Sequence, residues 1–473
     1  MIWALAALAA GATHLCAQSG NPTSASNPFF GSVTVHPATD ETIKLSLDDA
    51  VRRGLENNLG LQEAQNNEKI VKGQKNEALQ EFLPTISLTG GTGYFEHDLA
   101  ALGFGPGTLK DFTALFPPGE PLPTFPAVTK NSLTEGMLNY HQTLFSGPVI
   151  AGWRAAGAAE RSAHFAKMSA RGEVIQQVAT AYLRALAAQS EVEDASSLAK
   201  TDQVLYQQAR DAHEAGTVAR LDELRARVQL QSQQQVVITA QNTLDKTLIL
   251  LKREIGIDPG QNLVLTDPAP YSDLAERTPA EVRAEAYRNR QDYQNLQNQL
   301  VEYQAIHSAY RSQRLPSLSF SGSWGTQTVN GAGTHGVFAA IGTLNIPIFR
   351  EAGLRGDIDV AAAEETAVHA QLDDLRGHID EQVRAALLDV DANARLVEVA
   401  RSNVDLATRA LSDETDRFNA GVDDTLPLVT AQSSLAHTQT NLVESLYQYN
   451  LSKLQLARAA GVLEQQYRVY LGR

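Results

Sequence analysis

Two different spacings of apolar residues recur along the chain. One spacing is typical of helices: between 149 and 216 there is no proline, and a row of apolar residues steps by four and three positions in alternation, at Val174, Val178, Ala181, Ala185, Ala188, Val192, Ala195 and Ala199. This heptad seam predicts a long helix that packs along neighbouring helices. The other spacing is typical of strands: "LPTISLTG" from Leu83 and "LPSLSFSGSW" from Leu315 alternate apolar with small hydroxyl residues. A period of two predicts amphipathic strands.

The second half of the chain repeats the first. A second seam begins at Ile379, 205 positions after Val174, and continues through Val383, Ala386, Val390, Asn393, Val397, Ala400 and Val404. The same shift pairs Gly216 with Gly421 and Gly256 with Gly461. Matched glycines at matched breaks of a helical pattern indicate an internal duplication.

The patterns divide the chain into segments. Each repeat is expected to begin with one helix, the first from about Ser46, with Asp49 completing a capping box, to Gln80. The expected order is an export signal at 1–17, an extended lead-in at 18–44, a first repeat at 45–256, a linker at 257–278, a second repeat at 279–461 and a tail at 462–473. Within the repeats, strand pairs at about 83–145 and 315–348 precede helical hairpins at about 149–256 and 351–461, with tips at 216 and 421.

The apolar opening "MIWALAALAAGATHLCAQS" predicts a secretory signal, cleaved after Ala17, although it lacks a positively charged start. The single cysteine of the chain, Cys16, lies within it. A second interpretation makes Cys16 the lipid-modified first residue of a lipoprotein, but Leu15 fits a lipobox poorly. An uncleaved anchor is the third interpretation.

Composition excludes several functions. The net charge of −15 argues against a nucleic-acid partner, which requires a basic face. The 11 histidines are scattered without zinc-ligand spacing, and no grouping of nucleophile and base is present in the sequence. We therefore predict no catalytic residues, no cofactor, no metal site and no enzymatic activity.

The strands indicate a membrane protein. Four amphipathic strands joined by Gly- or Pro-rich loops in an exported chain favour a transmembrane β-barrel, but the smallest barrels need about eight strands. An open sheet edge in lipid would leave backbone groups unpaired. Cyclic assembly of identical chains solves this problem, and a trimer would place about twelve strands in one barrel. The predicted fold class is thus an internally duplicated α+β membrane protein with four transmembrane β-strands and long coiled-coil helices, forming as a trimer a β-barrel continuous with an α-helical barrel. The alternative is a periplasmic coiled-coil tether or adaptor without a pore.

Several motifs, in this order from about Leu45 to Gly461, resemble those of the TolC-like outer-membrane efflux family: "LSLDDAVRRGLENN", the two strand starts, "LFSG…AGWR", "IPIFREAGLR" and the two Ala-Gly turns. The resemblance implies a homotrimeric, passive channel in the lipid of the outer membrane with a large periplasmic part. Such a channel belongs to a tripartite efflux or type I secretion system. It works with a periplasmic adaptor and an inner-membrane pump of RND, ABC or MFS type.

The resemblance also implies functional positions at the hairpin tips. The adaptor contacts and gate correspond to Ala215, Gly216, Thr217, Ala420, Gly421 and Val422. The acidic residues that line the closed aperture in the family correspond by position to Pro427 and Thr430, so the carboxylates lie elsewhere, at Asp222, Glu223, Asp423 and Asp424. In a trimer these four would form acidic rings. The alternative is that they only satisfy the dipoles of helix N-termini.

Overall fold

The computed structural model describes residues 26–33, 35–102, 128–268, 271–420, 422 and 425–472. The chain divides into two compact units. The first comprises Met1–Asn66, Ala166–Asp292 and Arg376–Arg473, and the second comprises Asn67–Phe165 and Tyr293–Leu375. The predicted export signal and Cys16 lie outside the described residues, as do Gly421, Asp423 and Asp424.

Each repeat contains two shorter helices, a strand pair and a long helical hairpin, in that order along the chain. The helices are α1 Leu47–Asn57, α2 Leu59–Gln80, α3 Gly147–Glu214, α4 Arg220–Ile255, α5 Pro279–Asn289, α6 Gln291–Ser312, α7 Glu351–Asn419, α8 Thr425–Ala459 and α9 Leu463–Tyr470. The strands are β1 Ile43–Leu45, β2 Thr85–Asp98, β3 Val128–Phe145, β4 Leu263–Leu265, β5 Ser317–Val329 and β6 Ala332–Asn345, with short 3-10 helices at Pro28–Phe30 and Leu99–Leu102.

The two longest helices confirm the heptad prediction. Helix α3 has 68 residues and α7 has 69. The seam residues Val174, Val178, Ile379 and Val383 are fully buried. Among the described residues, no helix combines the length and the hydropathy needed to cross a membrane.

The glycine at the first hairpin tip ends α3 in a left-handed turn. Gly216 has φ = +75°. Its backbone N–H donates to the carbonyl of His213 (2.9 Å), and that of Thr217 donates to the carbonyl of Ala212 (2.9 Å). This is the Schellman arrangement, which satisfies the last carbonyls of a helix. At the second tip the N–H of Val422 donates to the carbonyl of Arg417 (3.1 Å), which is the same bond one repeat later.

The first helix of each repeat was predicted to be continuous, and this is wrong. Asn58 and Arg290 have extended backbones, with ψ of 132° and 122°, and each divides its helix in two. Asn58 stabilises the break, since its side-chain amide donates to the carbonyl of Phe29 (2.7 Å) and its side-chain oxygen accepts from the N–H of Leu61 (3.2 Å). Side chains that bond to nearby backbone in this way compete with the helix.

The predicted capping box is only half formed. The N–H of Asp49 donates to the Ser46 hydroxyl (3.2 Å), so Ser46 is the N-cap of α1. The Asp49 carboxylate accepts from the same hydroxyl (2.9 Å) instead of from the N-cap backbone. The complete reciprocal box occurs in the second repeat, between Thr278 and Glu281.

The lead-in, the linker and the tail contain structure that the sequence patterns did not predict. Strand β1, at the end of the lead-in, pairs in parallel with β4 of the linker. The Asp267 carboxylate accepts from the N–H of Leu47 and from the hydroxyl of Tyr182, both at 2.7 Å. The tail folds as α9, and its Tyr467 hydroxyl donates to Asp48 Oδ1 (2.6 Å). These contacts hold the linker and the tail against α1 and α3 within the first unit.

The second unit contains a four-stranded antiparallel sheet in the order β2-β3-β5-β6. Pairing of β3 with β5 joins the strand pair of the first repeat to that of the second. Tyr140 on β3 and Phe320 on β5 make an edge-to-face contact with ring centroids 5.8 Å apart. The described sheet is therefore one continuous surface built from both repeats.

Candidate functional site

One face of the sheet carries a row of large apolar side chains across all four strands. The strand register places Leu88 opposite Leu138, Leu138 opposite Trp324, and Trp324 opposite Phe338. Directly opposed residues of antiparallel strands share a face. Their exposed fractions are 79%, 42%, 66% and 74% respectively. Exposed apolar side chains aligned in this way indicate a surface that faces a nonpolar medium or another protein.

The opposite face of the same strands is small and polar. One residue along, the register aligns Ser87, Asn139, Ser323 and Ala339. On this face the side-chain amide of Asn139 donates to the Thr89 hydroxyl (2.9 Å). The sheet thus separates an apolar side from a side suited to water.

The described tip residues are accessible. Ala215, Gly216, Thr217 and Ala420 are exposed, and the side chain of Val422 is 68% exposed. The sixth predicted tip residue, Gly421, lies outside the described residues.

The two described candidate gate carboxylates lie in the first turn of α4. Asp222 is 3.4 Å from the guanidinium of Arg225, and Glu223 is 3.9 Å from the imidazole of His213. The N-cap residue of this helix, Ala219, makes no side-chain capping bond. The carboxylates therefore have the positions that favour interaction with the helix dipole, and they remain within a few residues of the exposed tip.

The first unit also holds buried ionisable groups. Lys453 of α8 is completely buried; its ammonium donates to the carbonyl of Ser272 (3.2 Å) and lies 4.4 Å from the centre of the Tyr449 ring. Burial lowers the pKa of Lys453 to about 8. Burial raises the pKa of Glu254 to about 7, opposed by a hydrogen bond from the side-chain amide of Gln177 (3.2 Å).

No group of three or more His, Cys, Asp or Glu side chains in the described part of the chain is arranged to hold a metal ion.

Comparison with known proteins identifies the family to which this chain belongs. A sequence model of the family described as "Outer membrane efflux protein" matches residues 50–256 and 282–462. The match covers both repeats and most of the chain, so the chain belongs to the outer membrane efflux protein family. Its place is accordingly the outer membrane, and the TolC-like resemblance is confirmed.

Individual relatives agree with this assignment. The chain is 24% identical over 336 residues to nodulation protein T of Rhizobium leguminosarum bv. trifolii, with 68% of this chain and 70% of that protein covered. It is 26% identical over 310 residues to the toluene efflux pump outer membrane protein TtgF of Pseudomonas putida, with 61% and 60% covered. The chain therefore spans less than two thirds of TtgF.

Solved structures share the fold. The outer membrane channel CmeC of Campylobacter jejuni superimposes with a TM-score of 0.73 at 16% identity, covering 95% of this chain and 94% of that chain. The outer membrane channel MtrE of Neisseria gonorrhoeae, in its open state, gives 0.70 at 20% identity, covering 91% and 95%. At such identities the likeness concerns the fold, which agrees with the predicted fold class.

The structure brings together residues that the sequence patterns named separately. Leu88 and Trp324 were predicted to lie on apolar strand faces, and they fall on one row. Leu138 and Phe338 complete that row but were not singled out, because only the pairing register reveals their alignment.

Proposed function

We propose that three copies of this chain form a passive, water-filled duct across the outer membrane. In this duct the apolar row through Leu88, Leu138, Trp324 and Phe338 faces lipid, and the row through Ser87, Asn139, Ser323 and Ala339 faces the lumen. The apolar row is the observation that carries the proposal. Four large side chains, each at least 42% exposed and aligned across every strand of the sheet, would be costly in water and favourable in hydrocarbon.

The sheet edges support assembly of several copies. In the described residues, β2 and β6 each pair on one side only. Unpaired backbone groups in hydrocarbon cost several kcal/mol each, so a lipid-embedded sheet must close on itself. Pairing of β6 of one copy with β2 of the next would continue the apolar row around a ring.

The long helices support the same assembly. Helix α7 exposes an apolar stripe at Leu388, Leu396, Val399 and Leu406, and α4 exposes Leu221, Leu224 and Val228 near the tip. Exposed stripes at helical spacing favour burial against further helices. In the proposed trimer, helices of a second copy cover these stripes and complete an α-helical tube.

The energy and the cargo come from partners. We propose that the tips at Ala215–Thr217 and Ala420–Val422 contact a periplasmic adaptor, which couples the duct to an inner-membrane pump of the RND, ABC or MFS type. The accessibility of the described tip residues supports this role. Because one of the relatives is named as part of a toluene efflux pump, small apolar solvents are a first choice of cargo to test.

The lipid-facing assignment predicts opposite results for two neighbouring substitutions. Phe338→Arg places a charge on the apolar face, where arginine costs about 2–4 kcal/mol at the bilayer midplane. Ala339→Arg places the same charge on the lumen face and should be tolerated. The native mass of protein extracted from outer membranes in detergent is the measurement. For the parent chain and for Ala339→Arg, we expect a native mass of about three times 51.1 kDa, reduced by the mass of the predicted export signal. For Phe338→Arg, we expect a marked loss of this trimer.

Two results would contradict the duct. One is a monomer or dimer that needs no detergent for extraction. The other is equal recovery of both arginine variants, which would show that the apolar face does not contact lipid.

The gate proposal predicts a change in ion selectivity. If Asp222 and Glu223 line a constriction in the assembled duct, the pair of substitutions Asp222→Asn and Glu223→Gln should lower cation selectivity, measured as the reversal potential across a salt gradient in planar bilayers. The matched control is Asp211→Asn with Glu214→Gln, which removes two exposed carboxylates just before the tip. If the α4 carboxylates act only on the helix dipole, selectivity stays unchanged and stability falls by about 0.3–1 kcal/mol.

A further inference from the structure

The two helical hairpins of the first unit meet around a small cavity near their tips. Its volume is about 10 Å³, and residues of α3, α4, α7 and α8 all line it. This volume is at the lower limit of what one water molecule requires. Two of its polar lining residues come from opposite hairpins and are buried: Asp202 of α3 and Gln432 of α8, each only 3% exposed. Leu205, Phe418 and Leu428 form an apolar wall around these two polar side chains.

Asp202 is buried with incomplete hydrogen bonding. Its Oδ2 accepts from the side-chain amide of Gln229 at the long distance of 3.5 Å. Within the described residues, its Oδ1 has no hydrogen-bond partner, and neither has the side-chain nitrogen of Gln432. An ionised carboxylate in such a place is costly, because it has lost water and gained no cation. Burial accordingly raises the pKa of Asp202 to about 6, while the Gln229 hydrogen bond opposes the shift.

Among the described residues, no charged side chain besides Asp202 lines the cavity. Nearby charged groups on the packed helices have other partners: Arg225 of α4 lies 3.4 Å from Asp222, and Arg417 of α7 lies 4.0 Å from Glu414. Within the ranges that the structure describes, the other titratable side chains near the lining positions are Lys200, Tyr206 and Arg210 on α3, Glu223 and Arg227 on α4, Asp413 and Asp416 on α7, and His437 on α8. None of these groups contributes to the pKa shift of Asp202. The shift is caused by desolvation and opposed by the hydrogen bond from Gln229.

Asp202 occupies a position where the heptad pattern of α3 places apolar residues. It lies three residues after Ala199 and so continues the heptad seam of α3. Its counterpart in the second repeat, 205 positions later, is Ala407, and the counterpart of Gln432 is Arg227. The internal duplication therefore does not repeat the carboxylate at the matching position of the second repeat.

We propose that Asp202 is a proton-controlled joint between the two hairpins: the neutral acid lets them pack tightly near their tips, and ionisation loosens them. The inference concerns contacts inside one chain and is independent of the proposed duct. A group whose pKa is raised in the folded state stabilises that state at low pH. The added stability is complete below about pH 4, is lost between about pH 4 and 6, and is absent above that range.

Hydrogen–deuterium exchange of the full-length protein in detergent tests the joint. The readout is the exchange of peptides covering 198–210 and 425–436 at pH 5 and pH 8, corrected for the intrinsic effect of pH on amide exchange. With a folded-state pKa of about 6 against 3.8 in the open state, the local opening equilibrium should rise about tenfold from pH 5 to pH 8. Asp202→Asn should abolish this rise and keep both peptides protected at pH 8. Asp211→Asn, which removes an exposed carboxylate of the same helix, should respond as the parent does.

A second variant keeps the test decisive if Asp202→Asn does not fold. Gln432→Lys places an ammonium beside Asp202, which favours the carboxylate and should reduce the opening at pH 8. Equal corrected exchange of the parent at the two pH values would overturn the proposal. So would an unchanged tenfold response in Asp202→Asn or in Gln432→Lys.

Discussion

Replacing Gly325 by alanine is expected to remove at least nine tenths of the assembled protein from the outer membrane. Gly325 of β5 pairs with Met137 of β3, at the seam between the two repeats. A Cβ atom at this position would collide with the carbonyl oxygen of Gly136 and lie 2.8 Å from the Cα of Met137. Because these are backbone atoms, the strands must separate. Each ladder bond lost in hydrocarbon costs several kcal/mol, and about 1.4 kcal/mol already corresponds to a factor of ten.

The matched control for this prediction is Gly136→Ala on the facing strand. A Cβ at Gly136 meets no atom within 4 Å, so this variant should assemble within a factor of two of the parent. Quantifying the detergent-extracted oligomer from equal amounts of membrane compares the two. Normal assembly of Gly325→Ala would mean that the close approach of the strands is not needed. Equal losses in both variants would mean that any side chain at these glycines is harmful.

The alternation of apolar and hydroxyl residues was sufficient to predict the strand faces but not how the strands align. Trp324 could be placed on the apolar face from "SFSGSW" alone. Its neighbours Leu138 and Phe338 depend on the register, and the β3–β5 register joins residues from different repeats. Such long-range pairing is set by the packing of the whole sheet, and no local pattern contains it.

The helices show the same division between local and distant causes. The seam through Val174 and Val178 is a repeated local signal, and the structure buries it. The break residues Asn58 and Arg290 are neither proline nor glycine. Contacts with distant segments stabilise the breaks, such as the hydrogen bond of Asn58 with Phe29. Strands β1 and β4 are three residues long, which is too short for any period to appear.

Part of the candidate site was visible in the sequence. Gly216 located the first hairpin tip, because a left-handed turn after a long helix is a local requirement. Asp202 was missed although the signal existed, since a carboxylate at the next step of an apolar seam is unusual. Its surroundings could not be predicted, because Gln229 and Gln432 come from two other helices.

Replacing Gly461 by alanine should destabilise the first unit more than the same change at Gly216 of the first hairpin tip. Gly461 ends α8 with φ = +75°, a conformation that costs an alanine about 1–2 kcal/mol. Its Cβ would also lie 2.6 Å from the backbone nitrogen of Arg290 and 2.8 Å from the carbonyl carbon of Asn289. These atoms form the junction of α5 and α6, so the added methyl must displace backbone, a change that typically costs about 1–3 kcal/mol more. We expect a total loss of about 2–5 kcal/mol in the free energy of unfolding, measured by denaturant unfolding followed through helical circular dichroism.

Gly216→Ala separates the two causes. Gly216 has the same φ of +75°, but a Cβ there meets no atom within 4 Å. Only the conformational cost of about 1–2 kcal/mol should remain. A difference between the two variants therefore measures the contact of α8 with the α5–α6 junction. If Gly461→Ala were no worse than Gly216→Ala, that junction would have to yield without cost, and the break at Arg290 would not be the fixed element that its hydrogen bonds to Asp292 (3.1 and 2.6 Å) and Gln382 (2.6 Å) indicate.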